Sequence, residues 1–210
     1  MKDPLIAVVS DVRRGDMGER LVNQVGADYL SIDQFGEGCT WNHSRAWRML
    51  AGLSEPDQWA LVLEDDAEPV PGFREQLQLA LAAAPAPIVS LYLGMGYIED
   101  RSIGINLTRA DMLGAHWVVT RGRILHAVAL AVRGDLLPAL VDNLPRSNTP
   151  IDRSLSMWAR REGHQVAYSW PSLVEHNDGP SLVTRYRRAA RRAWRTGVRD
   201  AWSDKMMLMS

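Results

Sequence analysis

One cysteine, Cys39, is all the thiol chemistry the chain has, which excludes an internal disulfide and a cysteine-based zinc site. Charge of either sign is nearly absent in the balance. A formal net charge of −1 gives no global attraction to nucleic acid or acidic membranes, so any such attraction must come from a local patch. No apolar run approaches membrane-spanning length, and the opening Met1-Lys2-Asp3-Pro4 lacks the apolar stretch of a signal peptide. The expectation is a cytoplasmic protein without a transmembrane segment. On that expectation the sequons Asn42-His43-Ser44 and Asn106-Leu107-Thr108 are chance matches. No internal repeat is present.

What is there suffices for one substantial core: 210 residues, 46% of them hydrophobic. One domain is expected over residues 1–182, with a basic appendage at 183–210.

The chain is organised around Leu61-Val62-Leu63-Glu64-Asp65-Asp66. An apolar run with no polar face reads as an interior strand of a helix-covered sheet. Its carboxylates then fall at the strand's carboxyl end, where open α/β sheets hold ligands. Alternation along the strand points Glu64 and Asp66 one way and Asp65 the other. Three adjacent negative charges repel unless a cation, arginines or water takes up the charge. A solvated acidic turn is the plain alternative; the buried strand before it and the Pro-rich turn after it favour a divalent-metal and phosphate site.

Around this strand, Pro4–Ser10 reads as the first strand. It ends in a polar loop containing Asp11, Arg13 and Arg14, either a nucleotide contact or solvated charges, and a helix follows through Gln24. Asp28–Ile32 reads as a strand, and Cys39–Leu53 as a helix with His43 one turn before Trp47. A helix is expected from Phe73 to Ala84 and a strand over Ile88–Leu93, ending in the Gly94-Met95-Gly96-Tyr97 turn. Ile98–Gly114 reads as an irregular loop over a site, with a short helix possible at Thr108–Leu113. Trp117–Thr120 and Ile124–Val132 read as strands about the Arg121-Gly122-Arg123 turn. Helices follow at Gly134–Val141 and Ile151–Arg161, and a last strand at Val166–Trp170. In the appendage, Arg188, Arg191, Arg192, Arg195 and Arg199 recur at helical spacing. This predicts a basic amphipathic helix, either packed on the domain or docking on nucleic acid or an anionic surface. Beyond it, Lys205–Met209 reads as frayed or packed on a partner.

Several pieces together resemble the bacterial lipopolysaccharide-biosynthesis glycosyltransferases of family 25. Gly38-Cys39-Thr40-Trp41-Asn42-His43-Ser44-Arg45-Ala46-Trp47 is similar to that family's GC-x-x-SH-x-x-x-W segment, with Asn42 in place of its usual serine. Leu61–Asp66 is similar to its LVLEDD strand and Pro150-Ile151-Asp152 to its P-V/I-D. His126–Val132 sits where the family has its A-Y-x-I/L-S strand. Pro171-Ser172-Leu173-Val174 resembles its late P-x-L-V. The ordered matches span about residues 38–176.

The resemblance implies an α/β, GT-A-like three-layer fold with a mixed central sheet, and a hexosyl transfer from a nucleotide sugar, a UDP-sugar first among them. The acceptor is a hydroxyl on a glycan, protein or modified nucleic acid. Mn²⁺ or Mg²⁺ is expected on Glu64 and Asp66, with His176 added as some GT-A enzymes add a late histidine. Asp11, Arg13, Arg14, His43, Glu64 and Asp65 are expected around the nucleotide. Asp152, which its place at a helix start alone would make a cap, is expected from the resemblance as the catalytic base, with Glu175 behind it. A nucleic-acid-binding module using the basic tail and a metal-dependent phosphohydrolase using the same carboxylates are the competing functions.

Overall fold

Strands form first where the chain is apolar on both sides. In a computed structural model that describes residues 2–95, 100–145, 149–177 and 191–209, Leu5–Asp11 (β1) and Trp59–Glu64 (β3) are buried along nearly their whole length. Such strands are stable only with helices on both faces of the sheet. In chain order the other elements are Met17–Val25 (α1), Tyr29–Asp33 (β2), Cys39–Leu53 (α2), Ala67–Pro69 (β4), Phe73–Ala82 (α3), Ile88–Ser90 (β5) and Asp100–Leu113 (α4). After these come Trp117–Thr120 (β6), Ala129–Arg133 (β7), Leu137–Asp142 (α5), Ile151–Arg161 (α6), Val166–Ser169 (β8), Val174–His176 (β9) and Met206–Leu208 (β10).

Eight strands make one mixed sheet in the order β10-β6-β8-β5-β7-β3-β1-β2, and β4 with β9 forms a separate antiparallel pair. The β2-β1-β3 part is parallel, and β7 enters antiparallel between β3 and β5. Side-chain alternation sorts the core into two faces. Ala7, Val9, Ala60 and Val62 pack under α2, α4, α5 and α6, whose contributions include Trp47, Leu107, Leu140 and Trp158. Ile6, Val8, Leu61 and Leu63 pack under α1 and α3, through Leu21, Val25, Leu77 and Leu81. The α/β architecture with three layers and a mixed central sheet is therefore as expected.

Four local expectations are corrected. Asp100–Leu113 is a helix where an irregular loop was expected, and it buries Ile103, Leu107 and Ala110 on one face. The two strands expected about the Arg121-Gly122-Arg123 turn are present, but the second starts at Ala129 instead of Ile124 and they are not neighbours: β6 lies between β10 and β8, and β7 between β5 and β3. Part of the expected basic helix, Arg188 included, lies outside the described residues, but 191–205 is not helical. In this stretch Arg195 stacks 4.2 Å from the Trp170 ring centroid and bonds Asp111, while Arg199 donates to the carbonyls of Trp170 and Ala115. The Met-rich end is not frayed: Met206–Leu208 pairs parallel with β6, and Met207 is buried in the core. The Gly94–Tyr97 turn lies partly outside the described residues.

Candidate active site

The parallel strands β1 and β3 end together, and their carboxyl ends carry Asp11 and Glu64-Asp65-Asp66. Alternation separates the three carboxylates as expected. Asp65 turns to the β1 side, where Ser10 Oγ donates to its Oδ2 at 2.7 Å and the Asp11 N–H at 3.2 Å. Glu64 and Asp66 instead meet His176, which the β4–β9 pairing places opposite Ala67. One ligand atom from each of Glu64, Asp66 and His176 lies within 4.8 Å of the others. The bond from Asn177 N–H to the Asp66 carbonyl, at 2.8 Å, ties the two chain segments together just there.

Arg14 comes from the short helical turn after β1. Its Nη2 donates to Asp66 Oδ2 at 3.1 Å, and its Nε lies 3.8 Å from Asp65. One guanidinium does not neutralise three carboxylates. Burial, with Glu64 and Asp65 alongside, pushes Asp66 up to about 7, and burial likewise raises Asp65. Asp66 Oδ1 is buried and has no hydrogen-bond partner among the described residues. An unpartnered carboxylate oxygen beside a second carboxylate and a histidine nitrogen is the donor set of a divalent cation, and the site fits one.

His43, fully buried on α2, faces Glu64 with Nε2···Oε1 at 3.1 Å. Burial opposes its charged form, but the sulfur of Cys39 and the carboxylate of Glu64 outweigh that and push His43 up to about 10. Glu64 is held low in return, because the His43 bond and the neighbouring cations outweigh its burial. Asp152 opens α6 without capping it. Among the described residues its carboxylate accepts the adjacent Arg153 N–H, at 2.7 Å, and burial raises it, with Glu64 adding to the rise and His43 opposing it. Asp11 and Arg13 engage each other through a two-point bond of 2.7 and 2.6 Å at the rim. That bond holds Asp11 below the usual carboxylate range. Glu175 points elsewhere: its Oε1 accepts the N–H groups of His176 and Ala193, at 2.9 and 2.6 Å, so it braces backbone.

Asn42 is structural. Its amide donates to the carbonyls of Ser10 and Ser31, and its oxygen accepts from Ser31 and Arg45, which locks α2 onto the ends of β1 and β2. Sequence reasoning missed His126. Its ring meets Tyr92 edge-on at 4.9 Å, and Tyr92 in turn lies 6.0 Å from His176. The only signal was a histidine set against a long apolar run. Arg191, read as part of the tail, is near enough to act electrostatically on Glu64, His126 and Asp152. A cleft of about 580 Å³ lined by Trp41, Arg45, Met49 and Leu53 lies on the outer side of α2 and includes none of the clustered carboxylates.

No protein-family model and no curated protein matches the chain. Among solved structures, the chain is similar to A197 from STIV at 8% identity, over 93% of this chain and 96% of that one, with a TM-score of 0.46. It is also similar to a glycosyltransferase involved in the glycosylation of the major capsid of PBCV-1, at 10% identity over 78% of this chain and 93% of that one, with a TM-score of 0.34. The fold class stands on the sheet order itself. No helix among the described residues is long and apolar enough to cross a membrane.

Proposed function

We propose that the chain is a metal-dependent glycosyltransferase that moves a sugar from a nucleoside diphosphate to an acceptor hydroxyl on a glycan, protein or modified nucleic acid. The observation that carries this reading is the convergence of Glu64, Asp66 and His176 at the carboxyl end of a parallel strand pair, with one Asp66 oxygen left without a partner among the described residues. Sugar transfer builds negative charge on the departing diphosphate, so the site must supply positive charge on that side. A Mg²⁺ or Mn²⁺ held by Glu64, Asp66 and His176 would supply it when bound, as a Lewis acid on the phosphate oxygens.

The chain's own residues do the rest. Arg14 adds a fixed guanidinium at the same edge, and Asp65 holds the end of β1 against it. His43 orients Glu64 from below. On the acceptor side Asp152 takes the hydroxyl proton: its carboxylate is raised by burial, which brings it nearer the pH at which a base must work. Glu175, with its carboxylate on backbone N–H groups, is less suited to that task.

The test is a panel of nucleotide sugars, UDP-sugars first, added to the purified chain with and without Mn²⁺. A ligand present at 100 times its dissociation constant stabilises by about 2.7 kcal/mol, enough for a clear thermal shift. The expected result is a shift from one nucleotide sugar that requires the metal, followed by turnover when acceptors are supplied. Release of phosphate or monophosphate without need of an acceptor would make the protein a phosphohydrolase instead. Absence of any nucleotide-sugar effect would overturn the reading.

A further inference from the structure

Glu64 belongs to two clusters. On one side it meets Asp66 and His176; on the other it meets His43 and Cys39, whose ligand atoms with that of Glu64 also lie within 4.8 Å of one another. Cys39 and His43 are one helical turn apart at the start of α2, a spacing that sets two side chains on one face and that helical zinc sites use. The entry to α2 is built to hold that turn in place. Gly38 has a φ of 98°, open to glycine, and the Asp33 carboxylate accepts the N–H groups of Glu37 and Gly38, at 2.9 and 2.7 Å. Cys39 is exposed while His43 is fully buried, so the cluster has a fixed inner wall and an open outer side.

We propose that Cys39, His43 and Glu64 form a second cation site, specific for a thiophilic divalent ion such as Zn²⁺. The chemistry of the donors decides the ion. A thiolate, an imidazole nitrogen and one carboxylate oxygen suit Zn²⁺ and poorly suit Mg²⁺ or Mn²⁺, whereas Glu64, Asp66 and His176 offer the oxygen-rich set that the harder ions take. Three protein ligands with an exposed sulfur leave the fourth tetrahedral position to water or to a ligand from outside. The early exclusion of cysteine-based zinc holds for sites built from several cysteines; it does not extend to a mixed site with one. Because Glu64 is common to both clusters, Zn²⁺ bound through it competes for a carboxylate that the harder cation needs. That consequence rests on the functional reading above; the binding of Zn²⁺ itself does not.

The experiment is direct binding to the purified chain, with no turnover involved. Zn²⁺ is titrated against a chromogenic chelator, free Mn²⁺ is followed by electron paramagnetic resonance, and Co²⁺ is added as an optical stand-in for Zn²⁺. Cys39→Ser is the informative variant, because an exposed side chain is replaced without touching the core. It should weaken Zn²⁺ at least as much as loss of an outer-shell partner does, roughly 10–100-fold, while Mn²⁺ binding stays as in the wild type. Co²⁺ should give a thiolate charge-transfer band in the wild type and none in Cys39→Ser. Asp66→Asn should do the opposite, weakening Mn²⁺ and sparing Zn²⁺. Equal Zn²⁺ affinity in wild type and Cys39→Ser, or a Co²⁺ spectrum without the thiolate band, would overturn the site. If no nucleotide sugar binds yet the Co²⁺ band appears, the second site stands and the glycosyltransferase reading falls.

Discussion

Arg14 spans two neighbouring carboxylates: its guanidinium lies 3.1 Å from Asp66 and 3.8 Å from Asp65, and its side chain is only 13% exposed. The pairing is asymmetric. Asp65 is also served by Ser10 and the Asp11 backbone, whereas Asp66 keeps one buried oxygen without a partner among the described residues. The need for a further cation is therefore concentrated on Asp66 rather than spread over the three acids.

Asp66→Asn should fold normally and lose nearly all metal-dependent turnover. The substitution keeps the shape and removes a negative ligand from a cation bound mainly through oxygen charge. Part of the destabilising repulsion with Glu64 and Asp65 disappears too, so the melting temperature without metal should stay the same or rise. Turnover at the wild-type rate at low Mn²⁺ would remove Asp66 from the metal site.

Asp152→Asn should cut transfer by roughly 10²–10⁴-fold while donor affinity stays near that of the wild type. No cap is lost, because the Asp152 side chain accepts its neighbour's N–H and makes no capping bond to α6. Donor titration by thermal shift and transfer rate on the same preparation check both halves. Full transfer activity would assign the base elsewhere.

The buried His126 should make the fold acid-sensitive. Burial, reinforced by Arg191, lowers it from 6.5 to about 4. The folded state thus prefers the neutral ring, so its contribution is fully present above pH 6.5 and is lost as pH falls towards 4. That shift corresponds to roughly 3 kcal/mol across the window. Asp66, which is raised, works in the opposite direction over part of this range. The measurement is therefore the difference between wild type and His126→Gln in urea midpoint at pH 7 and pH 4.5. Wild type should lose more stability than the variant on acidification; parallel losses would contradict the assignment.

Removing residues 200–210 should destabilise the whole domain instead of only weakening attachment to an anionic surface. Those residues supply β10, and Trp202 packs 5.1 Å from the Trp117 ring while its Nε1 donates to Gln76. Circular dichroism melting of the truncated chain checks this; an unchanged melting temperature would show that the strand contributes little.

Much of the fold was legible because it is local. The α2 and α6 boundaries, Cys39–Leu53 and Ile151–Arg161, match the periodicity, and β3 is apolar on both faces, as its sequence says. The α4 helix was missed because Gly104, Asn106 and Thr108 dilute its apolar stripe, although Ile103, Leu107 and Ala110 keep helical spacing. The strands on either side of Arg121–Arg123 are neighbours in sequence but not in the sheet, because strand partners are chosen across the whole chain and β6 finds β8 and β10. The arginines of the tail have helical spacing, yet the partners of Arg195 and Arg199 are distant: Asp111, Trp170 and the Ala115 carbonyl. Spacing alone says nothing of partners that far away. The same holds for His126, which reaches the site through Tyr92 and not through any neighbour in sequence.

The position of β10 also orders events at the ribosome. A strand on a growing polypeptide cannot pair with residues that have not yet been made. From the time Trp117–Thr120 emerges, one side of β6 has no neighbour until Met206–Leu208 has been synthesised and released. An open edge of that kind offers its N–H and C=O groups to any other extended chain. Between the synthesis of β6 and that of β10 the nascent protein thus carries this open edge, and Met206–Leu208 then covers it with a strand of three residues.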